Sequence, residues 1–266
     1  MYDLNLLKKN DYFSLVILGG SNSGKTFLTK HILNVLYGTF NDIFLFLGSP
    51  DGVENNYEQY IWPNHIFRFT NEPIKDMKIK IETILSIIKE WNQKISEKYV
   101  DSLETKPKIL YIFDDMGDTL KNNLDNITNT YRHAKVSFIF LLHSYNHLDT
   151  VARKSMTHYI ITNNSKHELL LEDFYQNKDK YKTKQFIISQ QISKHNAQHI
   201  SLEDKKKNRI YYILDREDED KIFYFKLNEE NIYAVQNSLF VWSTDSKIRT
   251  NFINCIRNIL NNMAIK

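Results

Sequence analysis

An α/β fold with a mainly parallel central sheet flanked by helices is predicted for this 266-residue chain by three observations. Short apolar runs alternate with helical stretches along the first 163 residues, the order that builds a parallel sheet. The runs are nearly continuous rather than alternating, as strands covered on both faces require. Only 7 glycines and 4 prolines leave little room for linkers, so the chain reads as a single domain over residues 1–266. Its core is expected over about 12–163, and a helical and β-hairpin extension over about 164–266.

The first strand is Phe13–Leu18, followed by a glycine-rich turn. A helix from about Lys25 to Leu36 carries Leu28, Ile32 and Leu36 on one face, with Gly38 as its C-cap. Ile43–Leu47 is a second buried strand, closed by Gly48-Ser49-Pro50, and His65–Phe69 a weaker third. Residues 76–98 repeat Met77, Ile81, Ile84, Leu85, Ile88, Trp91 and Ile95 at three and four, an amphipathic helix. Lys98–Lys108 is a polar loop. Ile109–Phe113, Val136–Leu142 and His158–Thr162 complete the strands of the core. Beyond them, residues 166–195 read as helical. Arg209–Leu214 and Lys221–Leu227 read as a hairpin around an acidic turn, and about Ser246–Met263 as a closing helix.

Composition narrows the function classes. Hydrophobic residues at 42% and charged residues at 25% provide a core and a polar surface and exclude general disorder. No run approaches 18 apolar residues, so no membrane span is expected, and the first residues lack the basic-then-apolar order of a signal peptide. Cys255 is the single cysteine, which excludes a disulfide framework and a Cys-rich zinc site and points to a reducing compartment. A net charge of +3 neither demands nor excludes a polyanionic partner.

Gly19-Gly20-Ser21-Asn22-Ser23-Gly24-Lys25-Thr26 fits G-x-x-x-x-G-K-[ST] and stands after a buried strand and before a helix. Glycines let such a loop wrap a phosphate with its amides, and the helix N-terminus adds partial positive charge. Lys25 is then expected to reach the β- and γ-phosphates of ATP and the Thr26 hydroxyl to ligate Mg²⁺. A plain glycine turn would need neither side chain. Asp114 and Asp115 end the fourth strand. Asp114 suits the metal, and Asp115 can orient or deprotonate an attacking water. One acid suffices for binding nucleotide, whereas the second argues for hydrolysis. Together these predict a P-loop NTPase of the RecA/ASCE-like type.

His143 ends the next strand and would face the γ-phosphate if that strand lies between the other two. A histidine capping a strand end is the plainer alternative. His143 and His147 stand at i, i+4 but straddle a strand end, which is poor spacing for a metal pair. Arg132 precedes this strand and Arg153 follows it. Either can be an arginine finger toward a neighbour's γ-phosphate, or a surface ion pair. For a polyanion, the candidate cations are Lys178, Lys180, Lys182 and Lys184, and Lys205-Lys206-Lys207 with Arg209, against a reading of both as solvated surface.

The order of these parts (GGSNSGKT, a long insertion, ILYIFDDM, a Tyr-Arg-His, then SFIFLLHSYNHL and an Arg) resembles the poxvirus-type genome-packaging ATPases of the FtsK–HerA superfamily. The resemblance covers about residues 12–230. It implies a motor pumping double-stranded viral DNA into a preformed capsid, acting as a homo-oligomeric ring (pentamer or hexamer) with viral capsid vertex proteins as partners. It also implies a place in the host cell cytoplasm, at the virus factory, and in the assembling virion. Under it, Lys25 and Thr26 bind phosphate and Mg²⁺, Asp114 supports the metal, Asp115 is the catalytic acid and Arg132 the finger. Family members usually carry Gln where this chain has His143, and His can still donate a hydrogen bond. Two other readings stay open from the residues. A P-loop small-molecule kinase would want a lid richer in arginine than Asp149–Lys166. A nucleotide-gated assembly protein would not need Asp115.

Overall fold

The computed structural model describes residues 4–8, 12–48, 57–69, 72–98, 108–121, 136–162, 167–199, 201–216 and 222–228, with single positions at 124, 127, 128, 218, 254 and 258. Eight strands among them form one sheet in the order β3-β2-β4-β5-β1-β6-β7-β8. They are β1 (Ser14–Leu18), β2 (Asp42–Leu47), β3 (Ile66–Arg68), β4 (Ile109–Asp114), β5 (Val136–Leu142), β6 (His158–Thr162), β7 (Asn208–Asp215) and β8 (Phe223–Asn228). The pairs from β3 to β6 are parallel. β7 and β8 are antiparallel additions at one edge. The expected α/β class, mainly parallel sheet and C-terminal hairpin are thus present.

The continuous apolar runs are explained by a core on each face. Successive side chains of a strand point to opposite faces. Phe44, Phe46, Tyr111, Phe113, Phe138 and Phe140 share one face, while Leu15, Ile17, Leu45, Ile112, Ile139 and Leu141 share the other. The first face is a stack of rings across β2, β4 and β5. Phe46 lies 4.7 Å from Phe113, and Phe113 5.3 Å from Phe140. Helix α2 (Ile74–Lys98) covers these rings with Met77, Ile81, Ile84, Leu85 and Ile88. Helix α1 (Lys25–Val35) covers the aliphatic face with Leu28, Ile32 and Leu33.

The connections include short helices α3 (Gly117–Leu120) and α4 (Thr150–Ser155). The segment expected to be helical over 166–195 holds two helices, α5 (Glu168–Tyr175) and α6 (Lys178–Gln198). Gln176 takes φ 53, which ends α5, and the Asn177 side chain accepts the amides of Asp179 and Lys180 to start α6. Asn-Lys-Asp is thus a helix start inside a polar run that periodicity alone does not divide. A further one-turn helix, α7 (Leu202–Lys207), contains the lysine triplet. The expected closing helix over 246–263 falls outside the described residues apart from 254 and 258. No helix among the described residues is long and apolar enough to cross a membrane.

Helix α4 is too short to hold itself, so its cap matters. Asp149 Oδ1 accepts the amides of Val151 at 2.9 Å and Ala152 at 2.8 Å. Asp149→Ala should therefore lower the unfolding free energy by about 1 kcal/mol, read from urea denaturation.

Candidate active site

Three strand ends meet at one edge of the sheet. β5 lies between β1 and β4, in register with both. The Gly19 amide continues the ladder by donating to the Leu142 carbonyl at 3.1 Å. The P-loop, the acid pair and His143 are neighbours because of this order, as the sequence reading of His143 required.

The loop from Gly19 to Thr26 turns through left-handed backbone at Asn22 (φ 59) and Gly24 (φ 90) before α1 begins at Lys25. A side-chain carbon at Gly19 would collide with the Thr162 and Ser23 hydroxyls, and one at Gly24 with the Arg209 guanidinium. Lys25 is buried, and its ammonium donates to the loop's own carbonyls, Gly19 O at 2.7 Å and Gly20 O at 3.0 Å. Burial pulls its pKa down, while the charges of Asp114 and Asp115 work against that fall.

Asp114 ends β4 buried. Burial raises its pKa, and a hydrogen bond from Tyr57 and the charge of Lys25 offset part of the rise. Asp115 leaves the strand with φ 57, a conformation Asp tolerates better than most side chains. That turn directs its half-exposed carboxylate to His143, whose Nε2 lies 3.0 Å from Asp115 Oδ1. His143 Nδ1 lies 3.5 Å from Lys25 Nζ. An ammonium can only donate, so Nδ1 accepts and Nε2 carries the ring proton to Asp115. The two carboxylates therefore have different roles, one buried beneath the loop and one at its mouth.

Gly48 supports this turn. Its amide donates to Asp114 O at 3.0 Å, and a side chain there would strike the Asp115 carbonyl oxygen. The sequence marks Gly48 only as the end of β2.

Two residues not singled out for the site lie within it, and a third has moved there. Tyr57 stands in a 3₁₀ turn (Tyr57–Gln59) of the β2–β3 insertion, and its hydroxyl donates to Asp114 Oδ2 at 2.9 Å. Arg209, grouped above with the lysine triplet as a candidate for a polyanion, packs against the P-loop from β7. β7 runs antiparallel to β6, so its beginning lies at the P-loop edge, and Arg209 and Tyr211 share the α1 face of the sheet by period two. The Arg209 guanidinium lies 5.0 Å from the Phe27 ring centroid, and the Tyr211 hydroxyl donates to Gly24 O at 3.2 Å. The alternation in Asn208-Arg209-Ile210-Tyr211 was readable, but not that β7 sits beside β6.

The remaining candidates separate. Arg153 donates to Asp173 at 2.8 Å and to Leu148 O at 3.0 Å, and stacks 4.3 Å from the Tyr145 ring centroid. These contacts tie α4 to α5, and none reaches the P-loop. Arg132 lies outside the described residues. His147 faces Asp118 at 3.5 Å rather than His143, and no cluster among the described residues could hold a metal ion by histidine, cysteine and acid side chains alone. The four lysines of α6 do not form one patch. At 100° per residue Lys178 and Lys182 share one side, exposed, whereas Lys180 and Lys184 share another, over Tyr175. Lys207 pairs with Glu203 at 3.0 Å.

The donor set fits a nucleotide phosphate with Mg²⁺. The Ser23 hydroxyl is buried in the loop without a protein partner, and two of the contacts of the Lys25 ammonium, those to the Gly19 and Gly20 carbonyls, are ones a phosphate would replace. Thr26 and Asp114 are the residues that would hold the metal. The support under Asp115 is testable by itself. Gly48→Ala should cost about 1–3 kcal/mol in urea unfolding, the scale of overpacking against backbone.

A family model described as "Poxvirus A32 protein" matches residues 2–254. The DNA packaging protein OPG160 of Variola virus and that of Vaccinia virus (strain Copenhagen) are each 35% identical to the chain over 164 residues, 58% of this chain and 54% of theirs. The chain spans about half the length of these curated relatives. Among solved structures, the genome packaging NTPase B204 from Sulfolobus turreted icosahedral virus 2 in complex with ATP-gammaS aligns with a TM-score of 0.51 at 15% identity, covering 82% of this chain and 99% of that one. The same NTPase in complex with AMP aligns at 0.50 and 16% identity, over 82% and 98%. At such identities the likeness is one of fold alone. The family match, by contrast, takes in nearly every residue from one end to the other, and the chain belongs to the poxvirus A32 protein family.

Proposed function

We propose that this chain is an ATP-hydrolysing motor that moves double-stranded DNA into a preformed viral capsid. The observation that carries the reading is the contact chain Lys25–His143–Asp115. Through one imidazole, the acid that would take a proton from water is joined to the cation that would hold the γ-phosphate. Membership of the A32 family, and relatives named for DNA packaging, support DNA as the substrate moved.

In this mechanism the triphosphate seats on the loop amides and the start of α1, and Lys25 exchanges the Gly19 and Gly20 carbonyls for phosphate oxygens. Thr26 and Asp114 would hold a Mg²⁺ ion, which would supply charge neutralisation of the phosphates. Water attacks the γ-phosphorus, the bond to the bridging oxygen breaks toward ADP, and the water's proton passes to Asp115. His143 orients that carboxylate. Arg132 is the residue we assign as a finger acting in trans, which makes the working unit a ring of five or six copies docked on the capsid vertex. Such a motor works at the virus factory in the host cytoplasm and in the assembling virion. Its contacts with DNA go to phosphates, because it must move along any sequence.

Phosphate release should rise when duplex DNA is added. Lys25→Ala should abolish nucleotide binding. Asp115→Asn should keep it and slow hydrolysis by about a hundredfold or more, the range for loss of a general base. Transfer of phosphate to a small acceptor in place of water would overturn the reading.

The trans assignment has its own measurement. Specific activity should climb with protein concentration, and mixing Arg132→Ala with Lys25→Ala subunits should recover part of the activity lost in each. Activity indifferent to concentration, without recovery on mixing, would place the finger within one chain.

A further inference from the structure

We infer that Tyr57 is a positioning residue of the Mg²⁺ seat, setting which way the Asp114 carboxylate points. The inference rests on the nucleotide reading above and deepens it.

Tyr57 is 2% exposed, and its ring packs into the aliphatic core beside α1, with Lys30 Nζ 5.8 Å from its centroid. Its hydroxyl has one hydrogen to give, and Asp114 Oδ2, at 2.9 Å, receives it.

With Oδ2 taken by the Tyr57 hydroxyl, Asp114 is held by one oxygen and offers Oδ1 as an acceptor before any metal arrives, which is what a hard cation or its water shell requires. Partners that orient a ligand in this way tune metal affinity strongly. Removing the phenol oxygen lets the carboxylate rotate.

The experiment measures equilibrium binding of a fluorescent, non-hydrolysable ATP analogue to the full chain, with Mg²⁺ and with EDTA. DNA and turnover are absent, so the result does not depend on motor activity. In the native protein Mg²⁺ should tighten binding. In Tyr57→Phe, which keeps the ring, affinity in EDTA should stay as in the native protein, and the tightening by Mg²⁺ should shrink by about tenfold, the scale of one hydrogen bond to a charged group. Equal tightening in both proteins would overturn the role of Tyr57 and leave the nucleotide site standing. Loss of binding in EDTA as well would show that Tyr57 merely supports the loop, and would also overturn it. A native protein whose affinity ignores Mg²⁺ would sink the metal seat itself, and this inference with it.

Discussion

The parallel pairing of β5 with β1 on one side and β4 on the other is the constraint on which the site depends. It brings together three segments spread over more than a hundred residues of the chain, Gly19–Thr26, Asp114-Asp115 and His143, at one edge of one sheet. Register fixes the match. A slip of one residue in β5 would exchange its aromatic and aliphatic faces, and the ring stack on Phe113 and Phe140 opposes that exchange. The buried rings therefore do more than fill space, since they hold His143 level with the P-loop.

Electrostatics at this edge is a matter of exchangeable partners. A buried ammonium without partners would carry a heavy desolvation cost. Lys25 avoids it through two backbone carbonyls and the nearby carboxylates, a set of contacts that keeps it charged and in place. Asp114 avoids it through Tyr57 and Lys25. Asp115, at the mouth, keeps access to solvent and needs only His143. Two adjacent acids thus occupy unlike environments because Asp114 keeps the strand's direction and Asp115, with φ 57, leaves it.

The elements that were legible in the sequence are those with a local signature. Phe13–Leu18 followed by GGSNSGKT gives a strand, a phosphate loop and a helix within a few residues, and an unbroken apolar run such as Val136–Leu142 is legible as a strand with two covered faces. The sequence does not give what depends on which strands are neighbours. Arg209 sits beside three lysines in the chain, and nothing local separates it from them. Only the antiparallel placement of β7 next to β6 carries it to Gly24. Tyr57 follows two asparagines in a polar stretch and reads as loop, yet the insertion folds it beneath α1 to meet an acid 57 residues away. The break between α5 and α6 has no strong local mark, being made by Gln176 and an Asn cap rather than by a glycine or proline.

Gly24 and Arg209 occupy one volume from two distant points in the chain. That shared space makes the two positions dependent on each other during descent, and the dependence has an order. A shorter residue at 209 harms nothing at 24, because glycine is content beside a void. A side chain at 24 would have to push the Arg209 guanidinium aside and would meet the Tyr211 hydroxyl as well, and with φ 90 only types that accept left-handed backbone are suited. Change therefore enters this corner more easily through 209 first and 24 second, while the opposite order must first displace the arginine that rests on the phosphate loop.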